Sequence, residues 1–146
     1  MDLPNNLKIK GIFVQGGAFK AKLIGNDYPR YYFVLNYTPS SHDIVLITTS
    51  TTSFDSHRVC GDEFHIPVSV DEYSEFTKNC MICLCGNNIR KIPYNKFLEI
   101  VGSGDFEMLT KLPDNLMQKI ISSVRKNKVI ETKIKKMICP PDEQER

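Results

Sequence analysis

A change of period near Arg90 restricts the fold more than any other feature of this chain. Up to that point, runs rich in β-branched and aromatic residues alternate with turn-forming clusters. The runs are "KIKGIFVQ", "AFKAKLI", "RYYFVLN", "IVLITTS" and "FHIPV", and the breaks include Gly16–Gly17, "GNDYP" and "TPSSHD". These are short consecutive strands. Beyond Arg90 the apolar residues take a helical spacing. Pro93 opens "YNKFLEIV", since its absent N–H is not needed in a first turn, and "GSGD" ends it. Asp105 then caps a short helical segment, "FEMLTKL". Pro113 and Asp114 start the longest helix, in which Leu116, Met117, Ile120, Ile121 and Val124 share one face. The pattern predicts an α+β domain whose antiparallel sheet curls into a small barrel, with the helices over one face or end.

At 146 residues the chain accommodates one domain, 1–138, followed by a tail over 139–146. The formal charge is only +2, but residues 111–136 hold eight Lys and Arg against two acids. A basic segment of this kind leans toward nucleic acid or an acidic partner, and its ordinary structural reading is a solvated helix face. The N-terminal stretch has neither a signal-like apolar run nor a membrane span, which predicts a cytoplasmic protein and no membrane partner. Five cysteines in such a chain are expected to be reduced thiols.

Cys80, Cys83 and Cys85 crowd into "KNCMICLCGNNIR" and raise the question of a metal. Zinc ligands usually come as two pairs on turns. Here there is one cluster on an expected strand, where Cys83 and Cys85 point one way and Cys80 the other. Only Cys60 or Cys139 is left as a distant ligand, so the stretch reads as a thiol-lined strand, with no metal and no cofactor.

The continuation of that strand carries a resemblance. "FTKNCMICLCGNNIRKIPYNKF" resembles the segment of the MazF/PemK/Kid toxin family in which "L-x-K-D-S" leads into an apolar strand ending in a polar pair and "I/P-R-T-I/L". Lys78, Asn79 and Cys80 stand at the first motif, and Asn88, Ile89, Arg90, Lys91 and Ile92 at the second. "RYYFVLN" is similar to the family's "R-P-x-L-V-I-Q" strand, with Arg30 at the arginine. "IVLITTS" is similar to "V-x-V-x-P-I-T-T/S", with Thr48 at the threonine, and "FHIPV" fits the strand that follows. The likeness spans roughly residues 8–125.

The resemblance implies an SH3-like antiparallel barrel that dimerises with itself and cleaves single-stranded RNA without a metal, through attack of the RNA's 2′-hydroxyl. It also implies an antitoxin protein as partner. Arg30 and Thr48 would be catalytic: a guanidinium stabilises the charge that builds on the phosphorane, and a hydroxyl donates to the same phosphate. Tyr28, Tyr31, Thr49, His57 and Arg58 would contact RNA, the tyrosines by stacking on bases. Ordinary structural roles compete with each: a surface ion pair for the arginine, β-propensity for the threonines, packing for the tyrosines.

The sequence also departs from the family. Tyr31 replaces a proline, "QGGAFK" replaces the lead of the first strand, and Cys85 and Asn87 stand where some members carry an Arg and an Asp. No general base stands out among His42, His57 and His65. The alternative class is a non-catalytic barrel that binds nucleic acid or protein, including the gyrase-poison relatives of this shape; a zinc-dependent regulatory module is the third.

Overall fold

A computed structural model describes residues 5–23, 28–51, 65–84 and 89–141. In chain order they form α1 (Asn5–Ile12), β1 (Ala18–Ala21), β2 (Arg30–Val34), β3 (Val45–Thr51), β4 (His65–Val68), β5 (Cys80–Cys83), β6 (Arg90–Ile92), α2 (Tyr94–Val101), β7 (Glu107–Leu109), α3 (Asp114–Lys126) and α4 (Thr132–Ile138). The seven strands make one antiparallel sheet in the order β4-β5-β3-β2-β1-β7, and β6 joins β3 on the same side as β5. β3 is the hub. Its seven residues are long enough for Val45–Ile47 to pair with β6 and for Ser50 and Thr51 to pair with β5.

Side chains alternate across a strand, and here the alternation divides the apolar residues into two cores on the two faces of the sheet. Phe33, Leu35, Leu46 and Ile82 pack with Leu116, Ile120 and Val124 of α3 and Ile134 and Ile138 of α4. Phe19, Tyr32, Val34, Ile47 and Ile92 pack with Ile12 of α1 and Phe97, Ile100 and Val101 of α2. Helices therefore cover both faces, where the sequence predicted one face or end. Among the described residues no ladder joins β4 to β7, so these strands form an open sheet rather than a closed barrel.

The five strands expected before Arg90 include one reversal. "KIKGIFVQ" begins as a helix, because Ile9, Ile12 and Phe13 fall three and four apart and pack together on the second core. The Phe13 ring lies 5.2 Å from Tyr94 and 5.5 Å from Phe97. The glycine pair turns this helix into β1. Gly16 has φ +85°, and a Cβ on Gly17 would run into the Ile12 carbonyl. The turn is tied to the sheet by Gly16 N–H to Val34 O at 2.8 Å and Val34 N–H to Gly17 O at 2.8 Å.

"FEMLTKL" is the second reversal: it forms the edge strand β7, with Leu109 opposite Ala18. Its helix-favouring residues yield to the unpaired edge of β1. The α2 and α3 helices start after Pro93 and Pro113 as the sequence indicates, and Leu116, Met117, Ile120, Ile121 and Val124 are the buried residues of α3. Asn127 ends α3 by accepting the Val129 and Ile130 N–H groups at 2.7 and 3.0 Å, and α4 follows. Part of the basic C-terminal segment is thus a second core-packed helix. Among the described residues no helix is long and apolar enough to cross a membrane.

Candidate nucleic-acid interface

Arg30 opens β2 opposite Ala21 of β1. Paired residues share a face, and Ala21 belongs to the α1/α2 core, so Arg30 projects to that face, in line with Tyr32 and Val34. Its Nη2 donates to the Tyr28 hydroxyl at 3.0 Å, and the guanidinium carbon lies 5.2 Å from the Tyr28 ring centre. Tyr28 is 58% exposed. The Nε of Arg30 is buried and has no hydrogen-bond partner among the described residues. A cation stacked on an exposed aromatic ring suits a phosphate and an adjacent base.

Thr48 lies elsewhere. It pairs with Phe33, which faces the α3/α4 core, and it is 0% exposed. Its hydroxyl donates to the Cys83 carbonyl. The side chain of Thr48 is thus on the opposite face of the sheet from Arg30, inside the protein, with its one proton engaged. The shared groove expected for Arg30 and Thr48 is absent from this arrangement, because their sequence positions place them at opposite parity on paired strands.

Thr49 is on the Arg30 face but buried, and its hydroxyl donates to the Tyr31 carbonyl at 2.9 Å. Tyr31 faces the other core. Its hydroxyl donates to Glu75 O at 3.0 Å and its ring meets Phe76 edge-on at 5.0 Å, while Lys20 Nζ sits 5.3 Å from the ring centre. Burial, and then the charges of Cys80, Glu107 and Glu75, push its phenol above the ordinary range. Of the sequence-derived RNA contacts, the structure brings Tyr28 to Arg30 and places Tyr31 and Thr49 in packing roles. His57 and Arg58 lie outside the described residues, as do Cys85 and Asn87.

The thiols of β5 behave as buried hydrophobes. Cys80 faces the α3/α4 core, and Cys83, three residues on, faces the other way. Burial pushes Cys83 up to about 11, and the Arg30 guanidinium opposes the shift by favouring the thiolate. His65 is the register partner of Cys83, so a histidine also lies at this end of the sheet. His42 does not: it sits in the turn linking β2 to β3, beyond the far end of β2. Among the described residues no three His, Cys, Asp or Glu side chains gather to hold a metal ion.

A hollow on the same face as Arg30 was not visible in the sequence. It measures about 380 Å3 and lies between the end of β1, β6 and α2. Leu23, Ile92 and Ile100 line it, each 8–9% exposed, and Lys22, Arg90 and Lys96 stand around them. Lys22 follows Ala21, the partner of Arg30, and Leu23, Ile92 and Ile100 belong to the α1/α2 core, so the hollow and Arg30 lie on the same face of the sheet. The signal in the sequence was "RKIPYNK", where cations flank an isoleucine and a helix start, but Lys22 joins them only through the fold. A scan against protein-family models found no match for this chain, and a search of curated proteins found none either.

Proposed function

We propose that the protein binds single-stranded RNA at the α1/α2 end of its sheet, as a nucleic-acid-binding α+β module. One observation carries this reading. Arg30 presents a permanently charged guanidinium, stacked on the exposed ring of Tyr28, on the same face of the sheet as a hollow bordered by further cations. A guanidinium pairs with phosphate through parallel donors, and a free aromatic ring stacks on an unpaired base regardless of sequence. Duplex offers no such unstacked face, so a single strand fits better.

The second reading is the metal-independent endoribonuclease toxin implied by the resemblance, together with its SH3-like barrel, homodimer and antitoxin. The observation in its favour is that Arg30, which the resemblance assigns to the phosphate, is stacked on the exposed ring of Tyr28, where a strand can be reached. Thr48 does not belong to that machinery, since its hydroxyl is held by a backbone carbonyl. In this reading Arg30 carries the phosphorane charge and an acidic antitoxin segment competes for the same cations.

One experiment separates the two. Purified protein is titrated with labelled unstructured RNA in chelator, and the products are examined for 2′,3′-cyclic ends. Binding without cleavage supports the module. Binding with cyclic ends supports the nuclease. Arg30→Ala is expected to weaken binding and lower the dependence of log K on log salt by about 1. A folded Arg30→Ala protein that binds like wild type rejects both readings.

A further inference from the structure

The hollow between β1, β6 and α2 has two chemistries in one place. Its lining is apolar: Leu23, Ile92 and Ile100 are the residues of the second core left slightly open to solvent. Its border is cationic, with contributions from three separate elements: Lys22 after β1, Arg90 in β6 and Lys96 in α2. Two acids stand among these cations. Glu99 pairs with Lys96 at 3.2 Å, and Asp105 accepts the Lys22 backbone N–H at 3.1 Å. Asp105 also accepts a hydrogen bond from the Ser103 hydroxyl at 2.8 Å. Arg90 is exposed and makes no ion pair among the described residues. Lys91 adds no charge here, because it is paired with Leu46 of the α3/α4 core and its ammonium reaches Glu131 at 3.8 Å on that side.

An inorganic anion would leave the apolar lining wet, and a purely apolar ligand would leave Arg90 unused. A ligand that satisfies both is planar and apolar at one end and doubly charged at the other. We infer that the hollow between Ile92, Ile100 and Arg90 is a nucleotide site, which takes a base against Leu23, Ile92 and Ile100 and the attached phosphate on Arg90, with Lys22 and Lys96 at the border. The volume of about 380 Å3 lies within the range of small-ligand pockets, which are mostly apolar with a few placed charges. Arg90 is suited to the phosphate because its fork matches two phosphate oxygens at once. The nucleotide comes from one of two sources, a free mononucleotide or one unit of the strand held at Arg30. The inference deepens the RNA reading, which already counts the cations of this hollow, by assigning the apolar lining to a base and Arg90 to its phosphate.

The test uses the full chain with isotope-labelled Ile methyl groups. Adenosine, adenosine 5′-monophosphate, inorganic phosphate and a single-stranded hexaribonucleotide are titrated separately into wild type and Arg90→Ala. The monophosphate is expected to bind at least about tenfold more tightly than either the nucleoside or inorganic phosphate, and to move the Ile92 and Ile100 methyl resonances by the ring current of the base. Arg90→Ala is expected to weaken it at least about fivefold, and since Arg90 is exposed the fold survives the change. Equal binding of inorganic phosphate and monophosphate, or methyl resonances that stay in place, overturns the proposal. The hexanucleotide arm names the source: competition with the monophosphate at the Ile92 and Ile100 methyls assigns the site to the strand, and additive binding assigns it to a free nucleotide. Hexanucleotide binding that Arg30→Ala weakens, in the absence of any monophosphate signal, rejects this site and leaves the RNA reading standing. The converse result rejects the RNA reading alone.

Discussion

The two faces of the sheet are made from alternate residues of the same strands, yet they end up with different properties. On the α3/α4 side the two helices and the Tyr73–Phe76 turn close over a continuous core, and even Thr48 is drawn into it. On the α1/α2 side the cover consists of two eight-residue helices, and it leaves a hollow bounded by the residues after β1, by β6 and by α2. That face carries Arg30, exposed Tyr28 and the cation-bordered hollow. Both faces carry a hollow, about 620 Å3 between β4 and α3 and about 380 Å3 at α2, and the two differ in lining: polar residues of α3 around Ile66 and Pro67 in the first, Leu23, Ile92 and Ile100 bordered by cations in the second. At about 1.5 Å rise per residue the thirteen residues of α3 span roughly 20 Å and the eight of α2 roughly 12 Å.

The comparison breaks first at Phe33. Its ring is fully buried on the closed face, edge-on to Tyr73 and Phe76 at 6.0 and 6.1 Å. Phe33→Ala is expected to cost about 3–5 kcal/mol in denaturant unfolding. A loss below about 1 kcal/mol would mean that this face is loosely packed.

Alkaline pH provides the second probe. Burial raises the thiols of Cys80 and Cys83 from an ordinary value of 9.0, Cys83 to about 11, and raises the phenols of Tyr31 and Tyr73 as well. The folded protein keeps these protons longer than the unfolded chain. Stability is therefore complete below about pH 9 and falls as pH rises toward 11. Cys83 alone accounts for a loss on the order of 2 kcal/mol at the top of that window. Cys83→Ala should flatten the decline measured by pH-dependent unfolding, and an unchanged slope would place the titration elsewhere.

Thr48 sharpens the contrast further. Thr48→Val keeps the shape and deletes the donor to the Cys83 carbonyl, an expected loss of about 1–2 kcal/mol. RNA binding should not change. If binding or cleavage collapses in a stable Thr48→Val protein, the hydroxyl serves the ligand and its assignment to the core is wrong. Smallest of all is the exposed Lys96–Glu99 pair at 3.2 Å, where Glu99→Gln should shift stability by less than about 0.5 kcal/mol. The same change removes a negative charge from the hollow and should strengthen nucleotide binding modestly.

Much of this architecture was legible from local signals. The strand runs before Arg90 and the turns between them follow from β-branched residues and Gly, Pro and Asn punctuation, and the α3 face follows from its spacing. The reversals share a cause. "KIKGIFVQ" alternates Lys and Ile as a strand does, but Ile9, Ile12 and Phe13 are recruited by Tyr94 and Phe97, which are far away in sequence. "FEMLTKL" has helix-forming composition and is captured by the edge of β1. The site was partly legible. Tyr28 and Arg30 are neighbours in sequence, and their contact is local. Whether Thr48 shares their face depends on the Phe33–Thr48 register, which is set by long-range pairing, and the convergence of Lys22 with Arg90 and Lys96 depends on the packing of α2.

The claim at the centre of the account is that ligand meets the protein on the α1/α2 side, at Arg30, and leaves the α3/α4 side untouched. A backbone amide titration with a single-stranded oligoribonucleotide measures this residue by residue. Perturbations concentrated at Leu23, Tyr28, Arg30, Arg90 and Ile92, and abolished by Arg30→Ala, are the expected result. Perturbations confined to the exposed residues of α3 and α4, or a saturating strand that moves none of the five, would contradict it.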